Sequence, residues 1–309
     1  MEKTAFIFPG QGAQKVNMGR SFYDNCECSR KIYEQAESYT GLDLKKLIFT
    51  ENKHLDQTMY TQIALYTTEV AMLRAITEAG FTADVTAGLS LGEYSALTAS
   101  KALDFEDGCR IVQQRGKLME QAVPAGEGAM AAVLGLSTEQ VDQVLLEERR
   151  ESVCVANYNC PGQVVISGKT EDILYLMEKM EEAGAKRVIR LQVSGPFHSP
   201  LLKEAGSKLG QVLEKVTFDQ IQIPYVSNLT AEYIYDHSKI KNLLERQVSG
   251  SVRWEQSIRK MIEDDVTTFV EVGPGRTLNG FVKKIAKEMQ VEQPRLIQIE
   301  EVTDLNNIN

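Results

Sequence analysis

Residues 88–92 read Gly-Leu-Ser-Leu-Gly, and this run limits the choice of fold more than any other part of the 309-residue chain. It matches the pattern G-x-S-x-G, in which a serine occupies a strained turn between a strand and a helix. An apolar run at 85–89 precedes the serine and a helical stretch follows it, so both flanks suit the motif. The sequence therefore predicts that Ser90 projects above the end of a buried strand; a chance loop is the alternative.

Strand-like runs and helical patterns alternate along most of the chain, which predicts the α/β class. Buried strands are expected at residues 4–8, 85–89 and 268–272. Because strands that alternate with helices favour parallel pairing, we expect a mainly parallel sheet that is covered on both faces. Apolar spacing and capping residues predict helices over residues 59–80, 104–121, 200–215, 238–247, 254–263 and 277–289.

The rhythm of the sequence changes between residues 125 and 193. Strand-like and helical segments follow one another as strand, helix, strand, strand, helix and strand, over residues 129–134, 138–146, 152–156, 163–167, 171–182 and 187–191. This βαββαβ order is typical of a ferredoxin-like unit. We therefore predict a large α/β catalytic domain made of residues 1–124 and 194–309, interrupted by a small ferredoxin-like subdomain at 125–193.

Charge and cysteine content exclude several classes of protein. The chain has 34 Lys and Arg against 43 Asp and Glu, a net charge of −9, which disfavours nucleic-acid and polybasic membrane binding. Its five cysteines form no paired CxxC elements, so isolated reduced thiols are expected and a metal site is not. No apolar run is long enough to span a membrane and no signal peptide is recognisable, so we expect a cytoplasmic protein.

A catalytic serine needs a base, and the chain contains only three histidines. His54 and His237 lie in polar stretches and are interpreted as solvated side chains. His198 lies in the run Gly-Pro-Phe-His-Ser-Pro at 195–200, a rigid turn at the return from the small subdomain. A purely structural histidine is the alternative; paired with Ser90, His198 would be the general base.

Arg115 is placed on the inner side of the helix that is predicted from residue 104. It lies four residues after Ile111 and three before Leu118, so it shares the apolar stripe with them. A guanidinium in that position needs an anionic or hydrogen-bonding partner. It either pairs with an internal acid or extends its tip to water, or it is a bidentate clamp for a substrate carboxylate.

Two glycine-rich loops follow predicted strands, Pro-Gly-Gln-Gly at 9–12 and Gly-Pro-Gly at 273–275. Their glycines permit close approach of the backbone, and Gln11 adds side-chain donors. A phosphate-binding loop is a poor interpretation of the first, because no Gly-Lys-Ser/Thr follows. Ordinary turns are the simplest interpretation, although such loops line clefts in α/β folds.

Taken together, five motifs resemble the malonyl-CoA:acyl carrier protein transacylase family. They are, in order, FPGQG at 8–12, GLSLGEY at 88–94, QRG at 114–116, GPFHS at 195–199 and EVGPG at 271–275. Each motif is moderately specific by itself, whereas five in order over about residues 4–290 are highly specific. The resemblance implies an α/β-hydrolase-like large domain with a ferredoxin-like insert, in agreement with the pattern above.

The resemblance also implies roles for individual residues. Ser90 would attack the malonyl thioester of coenzyme A with His198 as its base, and malonyl-Ser90 would then be the intermediate of a ping-pong reaction. The oxyanion hole would use Gln11 and the backbone N–H of Leu91. The backbone carbonyl of Gln247, in place of an acid, would orient the histidine.

Substrate and partner follow from the same resemblance. Arg115 would bind the malonyl carboxylate, and Phe197 matches the malonyl-selective pattern, since methylmalonyl-selective relatives carry a smaller residue there. Asn157 and Asn159 align with the family's insert strand without an assigned role. The acceptor would be the phosphopantetheine thiol of acyl carrier protein in bacterial fatty acid synthesis, with coenzyme A thioester as substrate and no further cofactor.

Three other functions share some of these residues. A serine esterase or thioesterase would share the serine turn, and several acids between Ser90 and His198 leave room for its usual Ser, acid, His order. A discrete acyltransferase of a polyketide assembly line would use the same residues with another carrier. An inactive carrier-binding module is disfavoured because Ser90, His198 and Arg115 are all present.

Acyl carrier proteins of this kind are acidic, and so is this chain. We therefore expect a local basic patch near the mouth of the cleft. Charge scattered for solubility is the alternative for each candidate. The candidates are Lys186, Arg187 and Arg190 on the insert and Lys283, Lys284 and Lys287 on the last helix.

Overall fold

Strands and helices alternate over most of the chain in the computed structural model, which describes residues 2–308. The strands are β1 (Lys3–Phe8), β2 (Val85–Gly88), β3 (Gly128–Leu134), β4 (Cys154–Cys160), β5 (Gln163–Lys169), β6 (Arg187–Arg190), β7 (Tyr225–Val226), β8 (Tyr233–Ile234), β9 (Val266–Val272) and β10 (Arg295–Ile299). The α-helices are α1 (Arg20–Asn25), α2 (Glu27–Thr40), α3 (Leu44–Phe49), α4 (Thr58–Glu78), α5 (Gly92–Ala99), α6 (Phe105–Glu120), α7 (Thr138–Glu148), α8 (Thr170–Glu182), α9 (Lys203–Leu213), α10 (Ile240–Gln247), α11 (Trp254–Glu263) and α12 (Thr277–Met289). Short 3-10 helices occupy Pro200–Leu202, His237–Lys239 and Val302–Asn307.

A six-stranded sheet in the order β10-β9-β1-β2-β7-β8 forms the larger of the two sheets. Every pairing in it is parallel except that of β7 with β8, so the expected α/β class with a mostly parallel sheet is confirmed. β1 from Ala5 to Phe8 and the whole of β2 are buried, with helices on both faces of the sheet. This explains why these stretches are mainly apolar or small and lack polar alternation.

A four-stranded antiparallel sheet in the order β4-β5-β3-β6 is built from the middle of the chain. Its strands alternate between two apolar faces, as the two-residue period of a strand requires. Ala131 and Ile166 pack on one face against α7 and α8, whereas Met130 and Val165 on the other face belong to the core of the large sheet's helices. This second face closes over the carboxyl ends of the parallel strands.

The helix α4 is buried on more of its faces than its sequence predicts. The three-four spacing of apolar residues predicts one buried stripe, but nearly every position from Thr58 to Ile76 is buried. α2, α5 and α6 all pack against α4, so its polar side chains are covered as well. Polar groups buried in this way need internal partners, and two of them, Gln62 and Thr58, face the site described below.

Sequence periodicity finds the central strands and helices within a few residues, but misses others. α1, α2 and α3, the short strands β7 and β8, and the edge strand β10 are absent from the sequence-based expectation. The two-residue strands β7 and β8 are too short for periodicity to detect. The helices at residues 20–49 carry mixed polar faces and only a few buried residues each.

Candidate active site

Loops from four neighbouring parallel strands converge at one edge of the large sheet. Pro9 follows β1, Ser90 follows β2, Asn228 lies just after β7, and Gly273 follows β9. In an open parallel sheet the crevice outside the carboxyl ends of the strands is the usual binding site. These loops therefore surround the expected binding site.

Close packing of glycines shapes the turn that holds Ser90. A Cβ atom on Gly88 would lie 1.9 Å from the backbone of Gly92, and one on Gly92 would lie 2.2 Å from the carbonyl oxygen of Phe8. Ser90 itself has a φ of 54°, in the left-handed region that is unfavourable for a residue with a side chain. The strand, the strained serine and the helix α5 thus meet as the motif requires.

Asn228 holds both ends of this turn, and the sequence gives no signal of it. Its side-chain oxygen accepts a hydrogen bond from the backbone N–H of Ser90 at 2.6 Å, and its amide nitrogen donates to the carbonyl of Gly88 at 2.6 Å. The asparagine therefore continues the pairing of β2 with β7 beyond the last strand residue. Since the two residues are 138 positions apart, only the tertiary structure brings them together.

His198 lies in the connection from β6 back to the large sheet, and its ring faces Ser90. Its Nε2 is 2.7 Å from the hydroxyl oxygen of Ser90. Its Nδ1 is 2.9 Å from the carbonyl oxygen of Gln247 and 3.1 Å from that of Gly250. Because both carbonyls are acceptors, Nδ1 carries the proton, and Nε2 is free to accept one from Ser90.

The surroundings of His198 favour its neutral form. Burial, and then the positive charge of Arg115, lower the pKa of its imidazole from 6.5 to about 4. Within residues 2–308 the acceptors at Nδ1 are the two backbone carbonyls, with no carboxylate among them. The Ser, acid, His arrangement of a typical esterase is therefore not what the described residues form.

Arg115 projects from α6 into the same site and is only 1% exposed, as its place on the inner stripe predicts. Its Nη1 donates to Gln62 at 2.7 Å, and its Nη2 donates to the hydroxyl of Ser90 at 3.1 Å. The guanidinium also lies 5.4 Å from the ring centroid of Tyr94. Its hydrogen-bond partners within residues 2–308 are the neutral Gln62, Ser90 and Gln247, and the carboxyl of Glu93 acts on it only without a hydrogen bond, so a directly bound anion would suit it.

Gln247 joins the base to the arginine. Its backbone carbonyl accepts from His198, and its side-chain oxygen accepts from Nη2 of Arg115 at 3.0 Å. Its side-chain nitrogen donates to the carbonyl of Ser90 and to the buried carboxylate of Glu93, both at 2.8 Å. One residue thus contacts the nucleophile turn, the base and the buried cation.

Gln11 and Leu91 border the serine from two sides. The side-chain nitrogen of Gln11 donates to the hydroxyl of Thr58 at 2.9 Å, so this amide is already engaged. Leu91 follows Ser90 at the N-cap position of α5, where a backbone N–H has no intrahelical acceptor. The backbone N–H groups of Gln11 and Leu91 donate no hydrogen bond within residues 2–308, so both are available donors in the site.

A cavity of about 380 Å³ opens beside Ser90, between the parallel sheet and the antiparallel sheet. Its walls include Phe197, Asn157 and Asn159, all three buried except for a small fraction of their surface. The antiparallel sheet is fixed here by Val252, whose backbone exchanges hydrogen bonds with β4. Asn157 and Asn159 thus face the cavity.

The other histidines lie elsewhere. His54 and His237 are solvent-facing and are not among the residues that line this cavity. Across residues 2–308, no group of three or more His, Cys, Asp or Glu side chains is placed to hold a metal ion. None of the helices in that part of the chain combines the length and apolar character needed to cross a membrane.

Comparison with known proteins agrees with this geometry. The family model that matches is the acyl transferase domain, over residues 5–305. The malonyl CoA-acyl carrier protein transacylase of Bacillus subtilis (strain 168) is 44% identical over 305 residues, 97% of this chain and 96% of the relative. The chain is thus an acyl transferase by family.

Solved structures narrow the class further. That of MCAT from Streptococcus pneumoniae is 44% identical, with a TM-score of 0.93 and 99% of each chain covered. A malonyl-transacylase solved in complex with its type II PKS acyl-carrier protein is 35% identical, with a TM-score of 0.94, covering 99% of this chain and 98% of that chain. The chain belongs to the malonyl CoA-acyl carrier protein transacylase family.

Proposed function

We propose that the protein transfers the malonyl group of malonyl-CoA to the phosphopantetheine thiol of acyl carrier protein, for fatty acid synthesis. One observation carries the proposal: the hydroxyl oxygen of Ser90 lies 2.7 Å from His198 Nε2 and 3.1 Å from Arg115 Nη2. A nucleophile, its base and a buried cation therefore meet at one oxygen. This combination suits an acyl group that ends in a carboxylate.

The first half-reaction loads the serine. His198 takes the hydroxyl proton as the oxygen of Ser90 attacks the thioester carbonyl of malonyl-CoA. The tetrahedral intermediate collapses with cleavage of the carbon–sulfur bond, and His198 returns the proton to the sulfur of coenzyme A. The low pKa of about 4 supports this role, because the imidazole is then neutral at pH 7.

The negative charge of the intermediate falls on the former carbonyl oxygen. We assign its stabilisation to the backbone N–H groups of Leu91 and Gln11, which donate no hydrogen bond within residues 2–308. The position of Leu91 at the start of α5 adds the favourable dipole of a helix N-terminus. Donors fixed by the backbone need no reorganisation during the reaction.

Selection of the acyl group falls to Arg115. A malonyl carboxylate would supply the anionic hydrogen-bond partner that the described residues do not, with two parallel hydrogen bonds to the guanidinium. An acetyl group would leave the buried cation without that partner, which disfavours neutral acyl groups. Phe197 lines the same cavity and is placed to limit the size of a substituent beside the carboxylate.

The second half-reaction reverses the first with another thiol. The phosphopantetheine thiol gives its proton to His198 as its sulfur attacks malonyl-Ser90. The ester bond breaks, and the oxygen of Ser90 takes the proton back. The apolar walls of the cavity, among them Met119, Met130 and Phe281, favour a pantetheine thiol over water.

We propose an α/β-hydrolase-like large domain, residues 1–124 and 194–309, with a ferredoxin-like subdomain at 125–193; residues 1 and 309 lie outside the described residues. The βαββαβ element order between β3 and β6 supports the second part. We further propose that the enzyme acts in the cytoplasm, and that its coenzyme A thioester is a substrate, with no separate cofactor.

Two of the six basic candidates, Arg190 and Lys284, lie next to residues that line the cavity. All six basic candidates are exposed, and none forms an ion pair within 4 Å inside residues 2–308. Arg190 immediately precedes the cavity residues Leu191 and Gln192, and Lys284 lies one helical turn after Phe281 on α12. We propose that Arg190 and Lys284 contact the acidic carrier at the mouth of the cavity.

Steady-state kinetics test the reaction type. With malonyl-CoA and carrier protein varied together, a malonyl-enzyme intermediate predicts parallel lines in double-reciprocal plots. Intersecting lines would show that both substrates bind before transfer, against the proposal. Rapid release of free malonate without a carrier would favour the thioesterase alternative, and a strong preference for a polyketide carrier over a fatty acid carrier would move the proposal to that process.

A further inference from the structure

Glu93 is a buried carboxylate close to the nucleophile that the mechanism above does not use. It is the second residue of α5, three positions after Ser90, and only 1% of its surface is exposed. An acidic residue in the first turn of a helix is favourable at a protein surface. Burial removes most of that benefit and imposes a desolvation penalty, so the position calls for specific partners.

The partners of Glu93 come from the segments that build the site. Its Oε2 accepts a hydrogen bond from the side-chain nitrogen of Gln247 at 2.8 Å and one from the backbone N–H of Asn228 at 3.3 Å. Its Oε1 is buried and has no hydrogen-bond partner within residues 2–308. Glu93 is therefore hydrogen-bonded to Gln247, which contacts Arg115. Glu93 itself makes no hydrogen bond to the guanidinium of Arg115.

The chemistry of a carboxylate determines which way the Gln247 amide points. The Oε2 that meets Gln247 also accepts from the backbone N–H of Asn228, so this oxygen is an acceptor and the nitrogen of the Gln247 amide must face it. The amide oxygen is then left to face Arg115, from which it accepts at 3.0 Å. If the amide were reversed, its nitrogen would meet the guanidinium, and two donors would oppose each other.

We propose that Glu93 is a positioning residue for the carboxylate clamp: it fixes the Gln247 amide, and the amide oxygen in turn holds Arg115 in place for the malonyl carboxylate. The inference rests on the proposed function, in which Arg115 is that clamp. Glu93 acts through Gln247, so its effect falls on acyl selectivity. The hydrogen bonds of His198, to Ser90 and to the backbone carbonyls of Gln247 and Gly250, involve no atom of the Gln247 side chain.

The variant Glu93→Gln tests this proposal at nearly constant volume. An amide at this position either turns its NH2 toward Gln247, so that two donors oppose each other, or buries that NH2 where Oε1 has no hydrogen-bond partner among the described residues; either disturbs the contact that fixes the Gln247 amide. We expect the ratio of kcat/KM for malonyl-CoA to that for acetyl-CoA to fall about tenfold. The rate at which a small fluorophosphonate, which carries no carboxylate, labels Ser90 should stay within about twofold of the wild-type rate.

Glu69→Gln is the matched control. Glu69 is likewise a fully buried carboxylate; it accepts a hydrogen bond from Ser95 of α5 and has no hydrogen bond to Ser90, His198 or Arg115. Its substitution should leave the selectivity ratio unchanged. If Glu93→Gln unfolds, Glu93→Asp replaces it, since a shorter carboxylate withdraws from Gln247 and should lower the same ratio.

Two results would overturn the proposal. One is a folded Glu93 variant with wild-type selectivity; the other is a fall in fluorophosphonate labelling as large as the fall in malonyl transfer, which would place Glu93 in the serine turn alone. Arg115→Ala, measured alongside, distinguishes an error in the role of Arg115 from an error in the role of Glu93. If Arg115→Ala keeps malonyl selectivity, the clamp itself is wrong; if it loses selectivity and Glu93→Gln does not, only the role of Glu93 is wrong.

Discussion

Ser90 and His198 share an unusual backbone conformation, with φ values of 54° and 58°, but the chain holds them by different means. The turn at Ser90 is closed by backbone packed on backbone, Gly88 against Gly92 and Gly92 against Phe8, with the side chain of Asn228 across it. The ring of His198 is held by the carbonyls of two residues about fifty positions away. Close backbone packing therefore shapes the turn of the nucleophile, whereas distant carbonyls orient the base.

The two turns also differ in what surrounds them. At the serine, the nearest obstacles to added atoms are backbone oxygens, which cannot move without breaking the sheet. Around His198, the Ser199 hydroxyl donates to the carbonyl of Pro196, and the thiol of Cys154 donates to the carbonyl of His198. A turn closed by side chains has more ways to adjust than one closed by backbone.

Removing the two catalytic side chains has the largest expected effects on malonyl transfer, and the two losses of activity should differ in size. Ser90→Ala removes the group that carries the acyl chain, so malonyl transfer should fall by about 10⁴-fold or more. His198→Ala leaves the nucleophile in place without its base, and a fall of roughly 10²–10⁴-fold is expected. Initial rates of malonyl transfer measure both. Full transfer by Ser90→Ala would contradict the mechanism.

Adding one methyl group to each turn should destabilise the protein to different extents. A Cβ on Gly92 would lie 2.2 Å from a backbone oxygen, whereas one on Gly195 would lie 3.2 Å from the side chain of Phe197. We expect Gly92→Ala to lower the free energy of unfolding by about 2 kcal/mol or more, and Gly195→Ala by under about 1 kcal/mol.

Gly280→Ala, in the helix α12, is the control for the added methyl group, because its Cβ would meet nothing within 4 Å. It should stabilise the protein by about 0.5–1 kcal/mol, since alanine favours a helix more than glycine does. Thermal or denaturant unfolding measures all three variants. Equal losses at Gly92 and Gly195 would remove the distinction between the two turns.

The acid limb of the pH–rate profile tests how the surroundings of His198 act on it. The base must be neutral, so activity falls as the pH drops through its pKa, which burial and Arg115 lower to about 4. The limb of kcat/KM for malonyl-CoA should therefore lie near pH 4. A malonyl carboxylate bound to Arg115 offsets the positive charge of that residue. The acid limb of kcat should therefore lie at a higher pH than the acid limb of kcat/KM. Circular dichroism at each pH checks that the fold is intact, and a kcat/KM limb near pH 6.5 would contradict this account.

The smallest expected effect lies outside both turns, at the mouth of the cavity. Lys284→Glu should raise the KM for carrier protein by about three- to tenfold, because a rim charge chiefly affects encounter with an acidic partner. The KM for malonyl-CoA should not change. Lys31→Glu on α2, which contributes no residue to the cavity wall, is the charge-matched control. Equal effects of the two variants would point to net charge in place of a docking surface.

The same contrast explains how much of the site the sequence predicts. The pattern Gly-Leu-Ser-Leu-Gly predicts the strained turn at Ser90, and helix periodicity predicts the inward position of Arg115. The meeting of Ser90 with His198, 108 residues away, depends on how the chain returns from the antiparallel sheet. Asn228 and Glu93 could not be assigned roles, because their contacts with Ser90 and Gln247 arise only after β7 and α10 are in place.

Mass spectrometry of the intact protein after brief exposure to malonyl-CoA tests the central claim most directly. The account predicts one malonyl adduct that maps to Ser90, that is lost on addition of carrier protein, and that is absent from Ser90→Ala. In Arg115→Ala the rate of adduct formation should fall by about 100-fold. An adduct on another residue, or malonyl transfer by an enzyme that never carries an adduct, would contradict the account.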